Sequence, residues 1–107
     1  MTMRKVTTKD DLWSGEMRGV LVDGVRVLLV NVDGTVCAYE DACRHKGVRL
    51  SEGGLKGHVI TCFAHAWQYD ARTGEGINPE NLHLRTFPVA MQDNDVLVDV
   101  AALGAAR

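Results

Sequence analysis

Val20-Leu21-Val22-Asp23-Gly24-Val25-Arg26-Val27-Leu28-Leu29-Val30-Asn31-Val32-Asp33-Gly34-Thr35-Val36-Cys37-Ala38-Tyr39-Glu40 is a series of three runs rich in β-branched residues, divided by two Asp-Gly pairs. Asp-Gly between such runs is a strong hairpin signal, because the tightest turns need residues that accept positive φ. The stretch predicts strands over Val20–Val22, Val25–Val32 and Val36–Glu40. Further strands are expected at Val59–Phe63, Trp67–Asp70 and Arg85–Met91, and at Asp95–Val100 after an Asp93-Asn94 turn. Glycines punctuate the middle at positions 47, 53, 54, 57, 74 and 76. No window of a dozen residues carries helical periodicity, and only Asp10–Trp13 suggests a short turn. The expected fold is therefore all-β, an antiparallel β-sandwich or small barrel. Residues 1–107 form a single expected domain, with Ala101–Arg107 as a loose tail.

The bulk properties narrow the function classes. An apolar fraction of 46% and a charged fraction of 24% are ordinary for a globular chain. Net charge is −2 and the basic residues do not cluster, which argues against nucleic-acid binding. No apolar run approaches the roughly 20 residues that span a bilayer, so no membrane partner is expected. The N-terminal Met-Thr-Met-Arg-Lys-Val has no apolar core of the kind secretory signals carry. Three cysteines are an odd number, too few for a disulfide framework. These features fit a reducing compartment, most simply the cytoplasm.

The chemistry concentrates in two runs. Cys43-Arg44-His45 is followed, after sixteen intervening residues, by Cys62-Phe63-Ala64-His65. Each run offers one soft thiolate and one imidazole. That mixture fits a two-iron cluster whose irons differ chemically, one held by sulfur and one by nitrogen. A structural zinc site, which favours cysteine-rich pairs or a cysteine pair followed by a histidine pair, is the alternative. Both runs fall in loops, the first after the third strand of the opening stretch and the second between Val59–Thr61 and Trp67–Asp70. Paired loops at one end of a rigid sheet make a good site scaffold. His58 and His83 lie outside the runs and are expected at the surface. Cys37 and Trp13 are expected to serve packing, and Trp67 to pack in the core or shield the site.

The residues around these runs resemble those of Rieske-type 2Fe–2S proteins, and closely those of the small ferredoxin component of toluene (aromatic) monooxygenase systems. The likeness is carried by Leu50-Ser51-Glu52-Gly53, Gly57-His58-Val59-Ile60-Thr61-Cys62, Ala64-His65-Ala66-Trp67, Thr73-Gly74-Glu75-Gly76-Ile77-Asn78-Pro79 and Phe87-Pro88-Val89. It covers nearly the whole chain, from about Met3 to Val100. The resemblance implies a Rieske-type fold with two cluster-binding loops at one end. It also implies one 2Fe–2S cluster, with Cys43 and Cys62 on one iron and His45 and His65 on the other. It further implies a monomeric, non-catalytic carrier of single electrons, working between an NADH-dependent flavin/iron–sulfur reductase and a diiron hydroxylase. The ferredoxin of a ring-hydroxylating dioxygenase and the small Rieske subunit of nitrite reductase are the alternatives.

Several positions depart from the wider family pattern. Val48 and Ala64 stand where respiratory members carry a second cysteine pair, so that disulfide cannot form. Trp67 replaces a serine hydroxyl donor, Tyr69 keeps a tyrosine donor, and Ala66 stands where a glycine is usual. Fewer hydrogen bonds to sulfur imply a potential toward the low end of the family range. Arg44, Lys46, Phe63, Ala66 and Trp67 flank the expected ligands and are expected to form a docking face, with His45 and His65 near the surface. Pro79 is expected to place a third loop near the cluster.

Overall fold

A computed structural model describes residues 3–44, 47–64 and 66–101. Its strands are β1 (Arg4–Thr8), β2 (Met17–Val22), β3 (Val25–Val32), β4 (Thr35–Glu40), β5 (Gly54–Lys56), β6 (Val59–Thr61), β7 (Gln68–Asp70), β8 (Gly76–Asn78), β9 (Thr86–Phe87), β10 (Val89–Gln92) and β11 (Asp95–Val98). Among the described residues the other regular elements are two short 3-10 turns, Lys9–Asp11 and Leu50–Glu52. The strands form three antiparallel sheets, ordered β1-β11-β10, β2-β3-β4-β9 and β5-β6-β7-β8.

The second sheet lies at the centre, and β3 shows why. Val27, Leu28, Leu29 and Val30 are all fully buried, although successive strand residues point to opposite faces. Leu28 and Val30 join Tyr39, Leu50, Ile60, Tyr69 and Leu84 in a core shared with the third sheet. Val27 and Leu29 join Val22, Ala38, Phe87 and Val98 in a second core, shared with the first sheet. A strand covered on both sides reads as a continuous apolar run rather than an alternating one. The Tyr39 hydroxyl donates to the Ala71 carbonyl at 2.8 Å, tying the central sheet to the third.

Both Asp-Gly pairs close two-residue hairpins, between Val22 and Val25 and between Val32 and Thr35. Asp23, Gly24, Asp33 and Gly34 all have positive φ, as the twist-matched hairpin turn requires. The strand expected over Arg85–Met91 is instead two. Thr86–Phe87 pairs with β4, and Val89–Gln92 pairs with β11. Pro88 sits at the break, where it has no N–H to donate to either ladder. The strand expected to reach Phe63 stops at Thr61, because the chain turns at Cys62. Asp10–Trp13 corresponds to the turn at Lys9–Asp11.

Trp13 does not pack as expected. It is 68% exposed, with its indole Nε1 donating to the Asp10 carbonyl at 2.7 Å across the turn. The buried residue there is Leu12. His83 is half-buried rather than at the surface, its Nδ1 lying 2.7 Å from the Leu84 carbonyl, whereas His58 is exposed. Cys37 is half-buried against the core that the central and third sheets share. Of the expected loose tail, Ala101 donates its N–H to Asp99 at 3.0 Å, and residues 102–107 lie outside the described residues.

Candidate metal centre

The third sheet carries the second cysteine run, and the chain between β4 and the turn at Leu50–Glu52 carries the first. The two loops share one hydrogen-bond frame. In the first, Cys43 N donates to Val48 O at 2.7 Å and Gly47 N donates back to Cys43 O at 2.8 Å. In the second, Cys62 N donates to Trp67 O at 2.8 Å and Ala66 N donates to Cys62 O at 3.0 Å. Each cysteine thus opens a tight loop that closes through the residues four and five positions on. The closing residue takes positive φ in both, 72° at Gly47 and 58° at Ala66.

Cys43 and Cys62 are both buried, 4% and 2% exposed, and neither is in a disulfide. Tyr69 joins the two loops. It is the middle residue of β7, after the second loop, and its fully buried side chain reaches the first loop. Its hydroxyl accepts the Arg44 N–H at 3.1 Å and lies 3.5 Å from the Cys43 sulfur. With a backbone donor already directed at the oxygen, the phenolic proton is free to point at sulfur. Burial, and then the neighbouring Cys43, push the Tyr69 phenol well above its ordinary range, so the group stays a donor.

The expected ligands His45 and His65, and the expected docking residue Lys46, lie outside the described residues. The surroundings do fit a cluster. Two unbridged buried sulfurs sit on matched loops, with a locked O–H donor beside one of them. Arg44, Phe63 and Ala66 are exposed, and Phe63 in particular is 61% exposed beside the buried Cys62. Trp67 is half-buried against the core rather than fully on the surface. Gln68 pairs with Asn78, so Pro79, after a cis Asn78–Pro79 bond, falls level with Trp67 at the end of the second loop.

One feature close to the site had no motif to announce it. Buried Asp41, two residues before Cys43, is bonded to Ser51 beyond the loop. Nothing in the sequence around Asp41 marks it as buried, because its partner Ser51 lies ten residues on with no motif linking the two.

Comparison with known proteins agrees with this geometry. Residues 2–88 match the model of the Rieske 2Fe-2S domain. The ferredoxin component of the alkene monooxygenase system of Xanthobacter autotrophicus is 41% identical over 99 residues, covering 92% of this chain and 81% of that one. The biphenyl dioxygenase ferredoxin subunit of a Pseudomonas species is 38% identical over 101 residues, covering 92% and 93%. The solved complex of reduced oxygenase and oxidized ferredoxin in carbazole 1,9a-dioxygenase contains a similar chain. It has a TM-score of 0.83 and 32% identity, covering 90% of this chain and 91% of that one. The chain belongs to the Rieske 2Fe–2S family. Within it, this is an electron-transfer ferredoxin with one Rieske-type cluster, a component of oxygenase systems with no catalysis of its own.

Proposed function

We propose that Cys43 and Cys62 hold one iron of the cluster and His45 and His65 the other, on a single-domain, monomeric, cytoplasmic ferredoxin. The observation that carries this reading is the matched pair of loops, each burying one cysteine inside the same hydrogen-bond frame. Bound there, the cluster supplies a one-electron redox centre whose potential the ligand set raises above that of an all-cysteine cluster. The chain's own residues fix the sulfurs, keep water from them and direct a hydrogen bond from the Tyr69 hydroxyl to the Cys43 sulfur.

The partners are an NADH-dependent flavin/iron–sulfur reductase and the diiron hydroxylase of an aromatic, toluene-type monooxygenase. Similarity to a monooxygenase ferredoxin at 41% identity supports that system. Similarity to the biphenyl and carbazole dioxygenase ferredoxins supports a second reading, delivery to a ring-hydroxylating dioxygenase. Both share the exposed rim of Arg44, Phe63 and Ala66 around the loops, sized for a small, transient contact below about 1,200 Å². Reconstitution with NADH, reductase and each oxygenase separates them. Monohydroxylation of toluene at rates set by this ferredoxin supports the first reading. Formation of cis-diols alone overturns it in favour of the second.

A further inference from the structure

Asp41 is 2% exposed and has a defined position in the first loop. Its Oδ1 accepts the Ser51 backbone N–H at 2.8 Å, and its Oδ2 accepts the Ser51 hydroxyl at 2.6 Å. Its own N–H donates to the Arg26 carbonyl of β3 at 3.0 Å. The Asp41–Ser51 pair therefore closes the base of the loop, outside the inner Cys43–Val48 bond. Gly19 of β2 presses against this pair. A Cβ at position 19 would meet Asp41 Oδ2 and Ser51 Oγ at 2.6 Å each. Glycine is needed there for close approach and not for a turn. Among the described residues Asp41 makes no ion pair, although Arg26 and Arg49 line the cleft beside it. A buried charge held by hydrogen bonds alone is weakly screened and disfavours added negative charge nearby.

We propose that Asp41 is a positioning residue of the electron-transfer site: clamped to Ser51 under Gly19, it fixes the loop that presents Cys43, and its buried charge holds the cluster toward the oxidised state. The proposal rests on Cys43 being a ligand. Asp41→Asn separates charge from shape. The amide oxygen accepts the Ser51 N–H and the amide nitrogen donates to the Ser51 oxygen, so the clamp survives without its charge. Ser51→Ala, which removes the hydroxyl bond and leaves the backbone one, and Gly19→Ala, whose Cβ displaces both partners, do the reverse, keeping the charge and weakening the clamp.

The test uses the cluster-loaded protein, with midpoint potential, EPR line shape and the rate of cluster loss to a chelator as readouts. Asp41→Asn is expected to keep the line shape and shift the reduction equilibrium about tenfold toward the reduced form, 59 mV for a one-electron couple. Ser51→Ala and Gly19→Ala are expected to broaden the EPR lines and speed cluster loss about fivefold, the scale of one lost hydrogen bond. A wild-type potential in Asp41→Asn overturns the electrostatic role. Wild-type line shapes and lifetimes in both other variants overturn the clamp. If Asp41→Asn does not fold, those two variants still decide the clamp, and Asp41→Ser decides the charge: compared with Ser51→Ala, which also lacks the side-chain bond but keeps the carboxylate, its midpoint potential rises if the charge acts on the cluster and matches it if the charge does not. Cys43→Ser is the control. A native cluster there sinks the ligand assignment itself, whereas its loss leaves any failure to the clamp alone.

Discussion

Tyr69 is the residue on which the site's redox tuning turns. Its hydroxyl is 3.5 Å from the Cys43 sulfur and receives the Arg44 N–H, so the bond to sulfur is directed by the backbone of the neighbouring loop. Hydrogen bonds to sulfur favour the more negative, reduced cluster. Tyr69→Phe should lower the midpoint potential by about 40–60 mV, equivalent to about 1 kcal/mol for one electron. Protein-film voltammetry would read the shift, and an unchanged potential would remove the hydroxyl from the account. Ala66 is the second informative residue. It holds φ 58° at the position where the first loop has Gly47. A side chain costs roughly 1–2 kcal/mol in that region, while glycine gives back part of the gain as unfolded-state entropy. Ala66→Gly should therefore stabilise the protein by about 0.5–1 kcal/mol in urea denaturation, and destabilisation would show that the Ala66 methyl makes a compensating contact. Tyr69 was legible in the sequence as a donor. The clamp on Asp41 was not, since its partners Ser51 and Gly19 are distant in sequence and carry no spacing signal.

At the scale of elements, the strands that were legible are those whose side chains record burial. β2, β3 and β4 announced themselves through apolar runs and Asp-Gly turns, and β6 and β7 through short apolar stretches beside the second cysteine run. β1, β5 and β8 were missed, and all three are edge strands. An edge strand is defined by backbone pairing on one side, and its composition (Arg4-Lys5-Val6-Thr7-Thr8, or Gly54-Leu55-Lys56) need not alternate. The division at Pro88 was also hidden, because Phe87 and Val89 face the same core from two different sheets. The loops themselves were placed correctly, but their shared frame needed coordinates. Gly53 connects the first loop to β5, and a Cβ there would collide with the Thr61 carbonyl, one residue before Cys62. Gly53→Ala should push β6 outward, cost roughly 1–3 kcal/mol and accelerate cluster loss. Thermal melting alongside the visible spectrum would check it, and a variant as stable as the parent would contradict the packing described.

For the whole molecule, the arrangement is a rigid central sheet with one core on each face and two short loops raised at the end of the third sheet. Beside the buried cysteines the described residues present an exposed rim that includes Arg44, Phe63 and Ala66. An electron carrier needs such a rim, because each partner must approach the cluster closely and leave again. Phe63→Ala and Arg44→Glu should each raise the apparent KM for an oxygenase partner about fivefold to tenfold while leaving the visible spectrum unchanged, since exposed anchors act on binding rather than on the cluster. Equal loss of spectrum and coupling would place these residues in the scaffold instead.

The central claim is that two unlike irons sit on these loops, one of them held by His45 and His65. Pulsed EPR on the dithionite-reduced protein, prepared with isotopically labelled histidine nitrogen, tests it most directly. The account predicts a signal with average g below the free-electron value and couplings from two imidazole nitrogens on the reduced iron. A colourless, EPR-silent protein with one zinc per chain, or a reduced cluster without imidazole coupling, would contradict it.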